Sequence, residues 1–372
     1  MRSSLYTKVI KPILFKFDPE FVHNLFTSTG RLMGGYSIAR KILSRSMRYD
    51  SKFLEQEIAG ISFKNPVGLA AGFDYNGNLT QILESVGFGF ESVGTVTYSY
   101  YEGNKKPRLV RLPKSQSILV NKGFKSDGIK NVLNRNMPKW SNSFNVGVSI
   151  GATNSKECST PLAQIDDIVR SFEYISKHEI LKKLSYLELN ISCPNVLGSG
   201  SLATPEYLKM VLRKIRMIGI NKPLFVKFQL EIEWEKAKEL VKIMVDHNVD
   251  AIILSNLLKN REAESIKQED KKFVKDLKGN FSGKPTYELS NQLIENVYKE
   301  FGSKIKIIGL GGIFSAQDAY EKIKRGASLV QLITGMIYEG PQLIGEINRG
   351  LEELARKDGF NNIQEAVGSK VK

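Results

Sequence analysis

Eight short runs of apolar and β-branched residues, each separated from the next by room for a turn and a helix, constrain this chain most. They cover residues 67–70, 91–94, 146–150, 186–189, 224–228, 251–254, 306–308 and 329–332. Between them lie amphipathic stretches, clearest over 205–217, 234–247, 287–301 and 316–325, the pattern of helices with one buried face. Eight strands alternating with helices predict a closed parallel (β/α)8 barrel of the TIM type, with a doubly wound open sheet as the alternative. No linker or low-complexity stretch interrupts the alternation, so 50–372 reads as one barrel domain preceded by an extension over 1–49.

That extension concentrates the chain's charge. Lys+Arg number 54 against 39 Asp+Glu, a formal +15, and residues 1–49 hold nine basic side chains against Asp18 and Glu20. Asp18 followed by Pro19 is a helix start, and Gly34 with Gly35 is a break. Ile10, Ile13, Leu14 and Phe17, then Phe21, Leu25 and Leu32, recur at roughly helical spacing. Two readings are open: a helical cap packed on the barrel with a solvated basic face, or an interfacial helical pair whose cations meet an anionic membrane surface. Nucleic acid is not expected as a partner, because no helix-turn-helix, zinc or RNP-type motif accompanies the charge. Two cysteines, Cys158 and Cys193, exclude a disulfide scaffold and a four-thiolate metal site. His23, His178 and His247 form no metal-ligand spacing with acidic residues, so no metal is expected. No apolar run reaches the ~18–20 residues of a spanning helix, and no signal peptide is recognisable. The expectation is a soluble or peripheral protein on the cytoplasmic side of a membrane.

In a barrel of this type, chemistry gathers where the strands end. Reading those positions in order gives Ala71, Gly72 and Asp74, then Thr95, then Asn190, Ser192, Cys193 and Asn195. Lys227 and Ser255 with Asn256 follow, and the last two strands end in Gly311 with Gly312 and in Thr334 with Gly335. Glycines after the seventh and eighth strands let backbone N–H groups approach a phosphate. Amides hydrogen-bond imide rings, and a lysine stabilises an electron-rich reduced flavin. These are components of a flavin oxidoreductase.

The motifs resemble those of dihydroorotate dehydrogenases. They are Gly68-Leu-Ala-Ala-Gly-Phe-Asp74, Gly94-Thr-Val-Thr97, Lys106-Pro-Arg-Leu-Val-Arg-Leu112, Asn190-Ile-Ser-Cys-Pro-Asn195, Phe281-Ser-Gly-Lys-Pro285, Ile307-Ile-Gly-Leu-Gly-Gly-Ile313 and Gly326-Ala-Ser-Leu-Val-Gln331. Phe17-Asp-Pro-Glu20 resembles the membrane-associated, quinone-using class 2 enzymes, in which two amphipathic helices form the quinone's access path. The resemblance implies an FMN enzyme that oxidises dihydroorotate to orotate in pyrimidine (UMP) synthesis and passes electrons to a membrane quinone. It implies FMN contacts from Ala71, Gly72, Thr95, Ser149, Asn190, Lys227, Ser255, Gly283, Gly312 and Thr334. It implies substrate contacts from Asn190, Asn195 and Asn256, a base at Cys193, a catalytic lysine at Lys227, and Arg111 beside the quinone. Removing 1–49 is expected to spare flavin reduction and to abolish vesicle binding and quinone turnover.

The chain departs from that pattern in the substrate shell. Tyr75 stands where the family has a lysine, Val120 and Ser149 where it has asparagines, Leu257 where it has a threonine, and Ile333 where it has a tyrosine. Cys193 matches the class 1 base, whereas class 2 enzymes usually carry serine there; a thiol, with an ordinary pKa near ~8.5, becomes a base more readily than a hydroxyl. A carboxylate deprived of a cationic partner loses roughly 2–5 kcal/mol, and Lys122 or Lys125 is the candidate replacement. The altered shell leaves two further readings open: an FMN oxidoreductase acting on a different small cyclic amide, and a non-catalytic flavin- or lipid-binding paralogue.

Overall fold

The computed structural model describes residues 5–136, 140, 143–192 and 202–371. Its centre is a closed barrel of eight parallel strands: β1 (Val67–Leu69), β2 (Phe90–Val96), β3 (Asn145–Ile150), β4 (Tyr186–Asn190), β5 (Leu224–Phe228), β6 (Ala251–Leu254), β7 (Lys306–Leu310) and β8 (Leu329–Leu332). Each strand pairs with its sequence neighbours, and β8 closes on β1 through Val330 opposite Val67. All eight expected runs are strands, and the closed barrel excludes the open doubly wound sheet.

Large side chains fill one end of the barrel. Phe90, Tyr186, Phe225, Ile253, Ile308 and Leu329 cluster there with Ile58, Ile61 and Phe63 from the hairpin Gln56–Ile58 and Ile61–Phe63. Tyr186 stacks on Phe225 at 4.3 Å, and Phe63 meets Phe90 edge-on at 5.2 Å. Gly68 and Gly147 make this packing possible, since a Cβ at either would overlap the ring of Phe90 or Tyr186. Two residues further along the same strands the buried side chains turn polar: Ser92, Glu188, Lys227 and Gln331. The floor is therefore dry and sealed, and polar chemistry is confined towards the strand C-termini.

The helices pack outside the strands and carry the larger apolar core. Their starts are capped as the sequence suggests: Thr160 Oγ1 accepts from the Ala163 N–H at 3.3 Å, and Ser315 Oγ from Asp318 at 3.1 Å. A small antiparallel sheet of Leu109–Leu112, Ser117–Val120 and Asn280–Phe281 stands beside the barrel mouth.

In the N-terminal segment, helix α1 (Pro19–Gly34) starts at Asp18, whose Oδ1 accepts from the Phe21 N–H at 2.8 Å, and helix α2 (Ser37–Met47) follows the Gly34-Gly35 break. The face that α1 turns to the barrel carries Glu20, Val22, His23 and Gly34. Its larger apolar residues look outward: Phe21, Leu25, Phe26 and Leu32 are all exposed, as are Ile38 and Ile42 on α2. Twelve of the seventeen exposed large apolar side chains among the described residues lie before residue 50. A cap that merely completes the core turns such residues inward; these turn away from it.

Candidate active site

A cavity opens at the strand C-termini, where the turn after β1 is anchored first. Gly72 N–H donates to the Gly94 carbonyl at 2.7 Å, and Gly94 N–H to the Asp74 carbonyl at 2.8 Å. The Asp74 carboxylate is buried and accepts from the backbone N–H groups of Asn78 (2.9 Å) and Leu79 (2.6 Å). Burial raises its pKa despite those bonds, and Glu91, buried beside it, is raised much further by burial and by Asp74's charge. The pair therefore keeps a proton on Glu91, and Asp74 remains free to hold the turn. Lys227, at the end of β5 and buried, donates from Nζ to the Ala71 carbonyl at 3.2 Å, which ties the β1 turn across the barrel.

Two carboxamides on the cavity wall are locked in definite orientations. Asn190 Oδ1 accepts from the Ser192 N–H (3.1 Å) and hydroxyl (2.8 Å), so its Nδ2 must be the donor to Thr95 Oγ1 at 2.8 Å. Ser149 Oγ donates to Glu188 Oε1 at 2.7 Å, which leaves Thr95 to donate to Ser149 at 3.0 Å. Asn256 spends both Nδ2 hydrogens on Ser192, at its Oγ (2.7 Å) and its carbonyl (3.2 Å). One N–H of Asn190 and the Oδ1 of Asn256 are thus left for a ligand. A donor beside an acceptor matches the C=O and N–H of a cyclic amide.

Opposite these amides the wall is backbone. Gly283, Gly311 and Gly312 hold φ values of 82°, 109° and 74°, open only to glycine at little cost. At Gly335 a Cβ would overlap the Ile313 carbonyl. Thr334 Oγ1 donates to Ser282 Oγ at 2.9 Å and joins the eighth strand end to the 282–283 loop. This is a close-approach surface bordered by hydroxyls, the kind that receives a phosphate.

The remaining wall brings together four of the five residues that depart from the family pattern, Tyr75, Val120, Leu257 and Ile333, with the two candidate cations Lys122 and Lys125 and with His23 of α1. Lys122 is 7% exposed and its Nζ stands 4.0 Å from the Tyr75 ring centroid. The His23 ring lies 5.0 Å from that of Tyr75 and edge-on to Phe73 at 4.8 Å. Burial, followed by the charges of Lys122 and Lys125, holds His23 well below the usual imidazole range, so it is neutral. Burial likewise lowers Lys122 to about 7, with Glu20 opposing the shift and Lys125 adding to it. Glu20 of α1 takes Arg108 and Lys125 together, each nitrogen 3.2 Å from Oε1. Burial alone would raise the Glu20 carboxyl, but those two cations outweigh it and hold it below the ordinary value.

Comparison with known proteins agrees with this geometry. The family model for dihydroorotate dehydrogenase matches residues 53–355. The chain belongs to the dihydroorotate dehydrogenase family. It is 35% identical over 377 residues to a dihydroorotate dehydrogenase (quinone) of Nostoc punctiforme, covering 99% of each chain. It is also 35% identical over 366 residues to the enzyme of the same name from Nitratiruptor sp., covering 98% of this chain and 99% of the other. Among solved structures, DHODH from Eimeria tenella in complex with ferulenol matches with a TM-score of 0.81 and 26% identity, over 96% of this chain and 98% of that one.

Dihydroorotate dehydrogenases are a flavin-dependent family, and the residues present fit a flavin mononucleotide: a glycine cradle for a phosphate, a buried lysine and two oriented amides. Of the positions singled out by the dihydroorotate dehydrogenase motifs, Ala71, Gly72, Thr95, Asn190, Lys227, Asn256, Gly283, Gly312 and Thr334 line the cavity. Ser149 and Ser255 lie one layer deeper, the first behind Thr95 and the second bonded to the Leu310 carbonyl at 3.3 Å. Arg111 stands off the lining; its Nη1 donates to the Phe17 carbonyl at 2.7 Å and its guanidinium covers the Phe15 ring at 4.7 Å. Cys193 and Asn195 lie outside the described residues. Sequence reasoning gave His23 and Glu20 no role; their i,i+3 spacing puts both on one face of the helix, the one signal that could have marked them.

Proposed function

We propose that this chain oxidises dihydroorotate to orotate with FMN bound over the strand ends and passes the electrons to a membrane quinone, a step of pyrimidine synthesis. The carrying observation is the paired orientation of Asn190 and Asn256, which offers one donor and one acceptor to a ring amide across from Lys227. FMN, when bound, supplies a two-electron acceptor for the hydride leaving C6 of the ring. Gly283, Gly312 and Thr334 would hold its phosphate; Ala71, Gly72 and Thr95 would border its ring, with Ser149 and Ser255 supporting them from behind. Lys227 places a buried positive charge at the β5 end, where it favours an electron-rich ring. Asn190 and Asn256 fix the substrate ring, with Asn195 as a further amide. Cys193 is the base proposed to take the C5 proton.

The division into a 1–49 extension and a 50–372 barrel goes with the two partners. Outward apolar side chains on α1 and α2, flanked by Arg31, Arg40, Lys41 and Arg45, suit a helix pair lying in an anionic membrane surface, on the cytoplasmic face. No described helix is long and apolar enough to cross a membrane. Arg111, fixed against Phe15 and Phe17, is placed where this segment meets the barrel and is proposed to face the quinone.

The test is anaerobic mixing of the yellow holoenzyme with dihydroorotate, followed by a soluble quinone. Bleaching and quinone-dependent recovery of colour are expected. No bleaching at millimolar substrate refutes the reading, and bleaching by dihydrouracil alone favours a different cyclic amide, which the apolar Val120 and Leu257 in the wall make the second reading.

A further inference from the structure

Three described lysines line the cavity, and only one of them has neither a hydrogen-bond nor an ion-pair partner for its ammonium among the described residues. Lys227 donates to a backbone carbonyl. Lys125 is paired with Glu20. Lys122 is buried against the π face of Tyr75 and, among the described residues, has neither an ion pair nor a hydrogen bond to its ammonium. Desolvating a cation this far without a counter-charge is unfavourable, and a tyrosine face offsets only part of it.

Two more polar atoms on the same stretch of wall share that condition. Among the described residues Tyr75 Oη and His23 Nε2 are buried without hydrogen-bond partners, while His23 as a whole is 8% exposed. An ammonium thus borders the cavity together with a tyrosine and a neutral histidine whose own polar atoms are buried behind it. Their chemistry complements a carboxylate, which brings the missing charge and accepts several hydrogen bonds at once. The surrounding Val120, Leu257 and Ile333 supply no competing polar group.

We propose that Lys122, backed by Tyr75, is the residue that receives the carboxylate of the ring substrate and selects carboxylated rings over neutral ones. The assignment rests on the proposed function for the identity of the ring. Lys125 is set apart from this role by α1, whose Glu20 already neutralises it. His23, neutral, closes the same wall from the extension.

The experiment titrates orotate and uracil, the same ring without the carboxylate, into the holoenzyme and follows the flavin spectrum. Wild type is expected to prefer orotate strongly. Lys122→Gln is expected to weaken orotate about 10- to 100-fold, the loss of one charge-assisted contact, and to leave uracil unchanged. Lys122→Arg should keep orotate within a few-fold, which separates lost charge from a disturbed loop; flavin content reports folding in each variant. Equal orotate affinity in wild type and Lys122→Gln, or a wild type indifferent to the carboxylate, overturns the assignment while bleaching by dihydroorotate leaves the function standing. A wild type that is not bleached by dihydroorotate and binds neither ring overturns both.

Discussion

Glu20 is the side chain by which the N-terminal helix holds the barrel mouth, and Glu20→Gln tests that directly. The substitution preserves shape and removes the negative charge from between Arg108 and Lys125. Arg108 is 6% exposed and keeps the Asn104 carbonyl, at 2.6 Å from Nε, and as its ion pair Glu102, a carboxylate 73% exposed and correspondingly weak. Breaking a buried pair by removing one partner costs about 3–5 kcal/mol. The partial exposure of Lys125 and the surviving Glu102 contact reduce that to about 2–3 kcal/mol. With an unfolding entropy near 2.1 cal/mol/K per residue, a chain of this length loses roughly 3–4 °C in Tm. Hydrogen exchange over residues 19–34 should accelerate before the barrel strands do, because α1 is the element released. Acid should reproduce the effect in wild type: a carboxyl held below its ordinary value stabilises the fold above that value and loses the contribution as pH falls through the lowered one. An unchanged Tm together with unchanged exchange over α1 would show that Glu20 does not anchor the helix.

Orotate affinity should fall about tenfold per unit as pH rises above 7, since Lys122 sits near 7 when free and binding a carboxylate raises it; calorimetry in buffers of different ionisation heat should find proton uptake, and a flat profile between about pH 6.5 and 8.5 would contradict this. Over that window His23 stays neutral and Glu20 ionised, so neither supplies the slope. Asp74→Asn removes one of two backbone acceptors from the β1 turn and should loosen FMN through a buried N–H left unpaired, at a cost of about 1–3 kcal/mol; flavin retention on gel filtration reads it. Gly335→Ala should abolish FMN binding because its Cβ displaces the Ile313 carbonyl, and normal flavin content would show the turn to be adaptable. Deleting residues 1–49 should slow flavin reduction as well as abolish vesicle binding, because the cavity wall loses His23 and Lys125 loses Glu20; an unchanged reduction rate would make the extension separable, as the sequence alone suggests.

The barrel was legible because its information is local. Each strand is a short apolar run, and each turn that reaches the cavity carries a glycine or amide whose use depends little on distant residues. The N-terminal helices were legible as amphipathic, but which face met the barrel was not. Phe21, Leu25 and Leu32 read as an inward stripe or as a membrane face equally well. The choice is made by Arg108 and Lys125, some ninety to a hundred residues away, which draw Glu20 inward and leave the apolar face outside. The same long-range pairing separates Lys122 from Lys125, two lysines that sequence presents as equivalent. His23 was invisible for a related reason: its environment is built by Phe73 and Tyr75 from the β1 turn.

The hydroxyl chain beneath the cavity has a direction. Glu188 accepts from Ser149, Ser149 from Thr95, and Thr95 from Asn190, so every proton in the series is committed downward. Asn190 consequently meets an incoming ring with a polarity settled before the ring arrives, and a ring presenting its amide in the reverse sense meets the wrong partner. The reading head is at the mouth, but its sign is settled beside and beneath it: the Ser192 backbone N–H fixes the amide, and a carboxylate no ligand touches aligns the hydroxyls that receive it. Drift in substrate preference within this fold therefore has two independent handles: the charge on the wall and the orientation imposed from within the barrel.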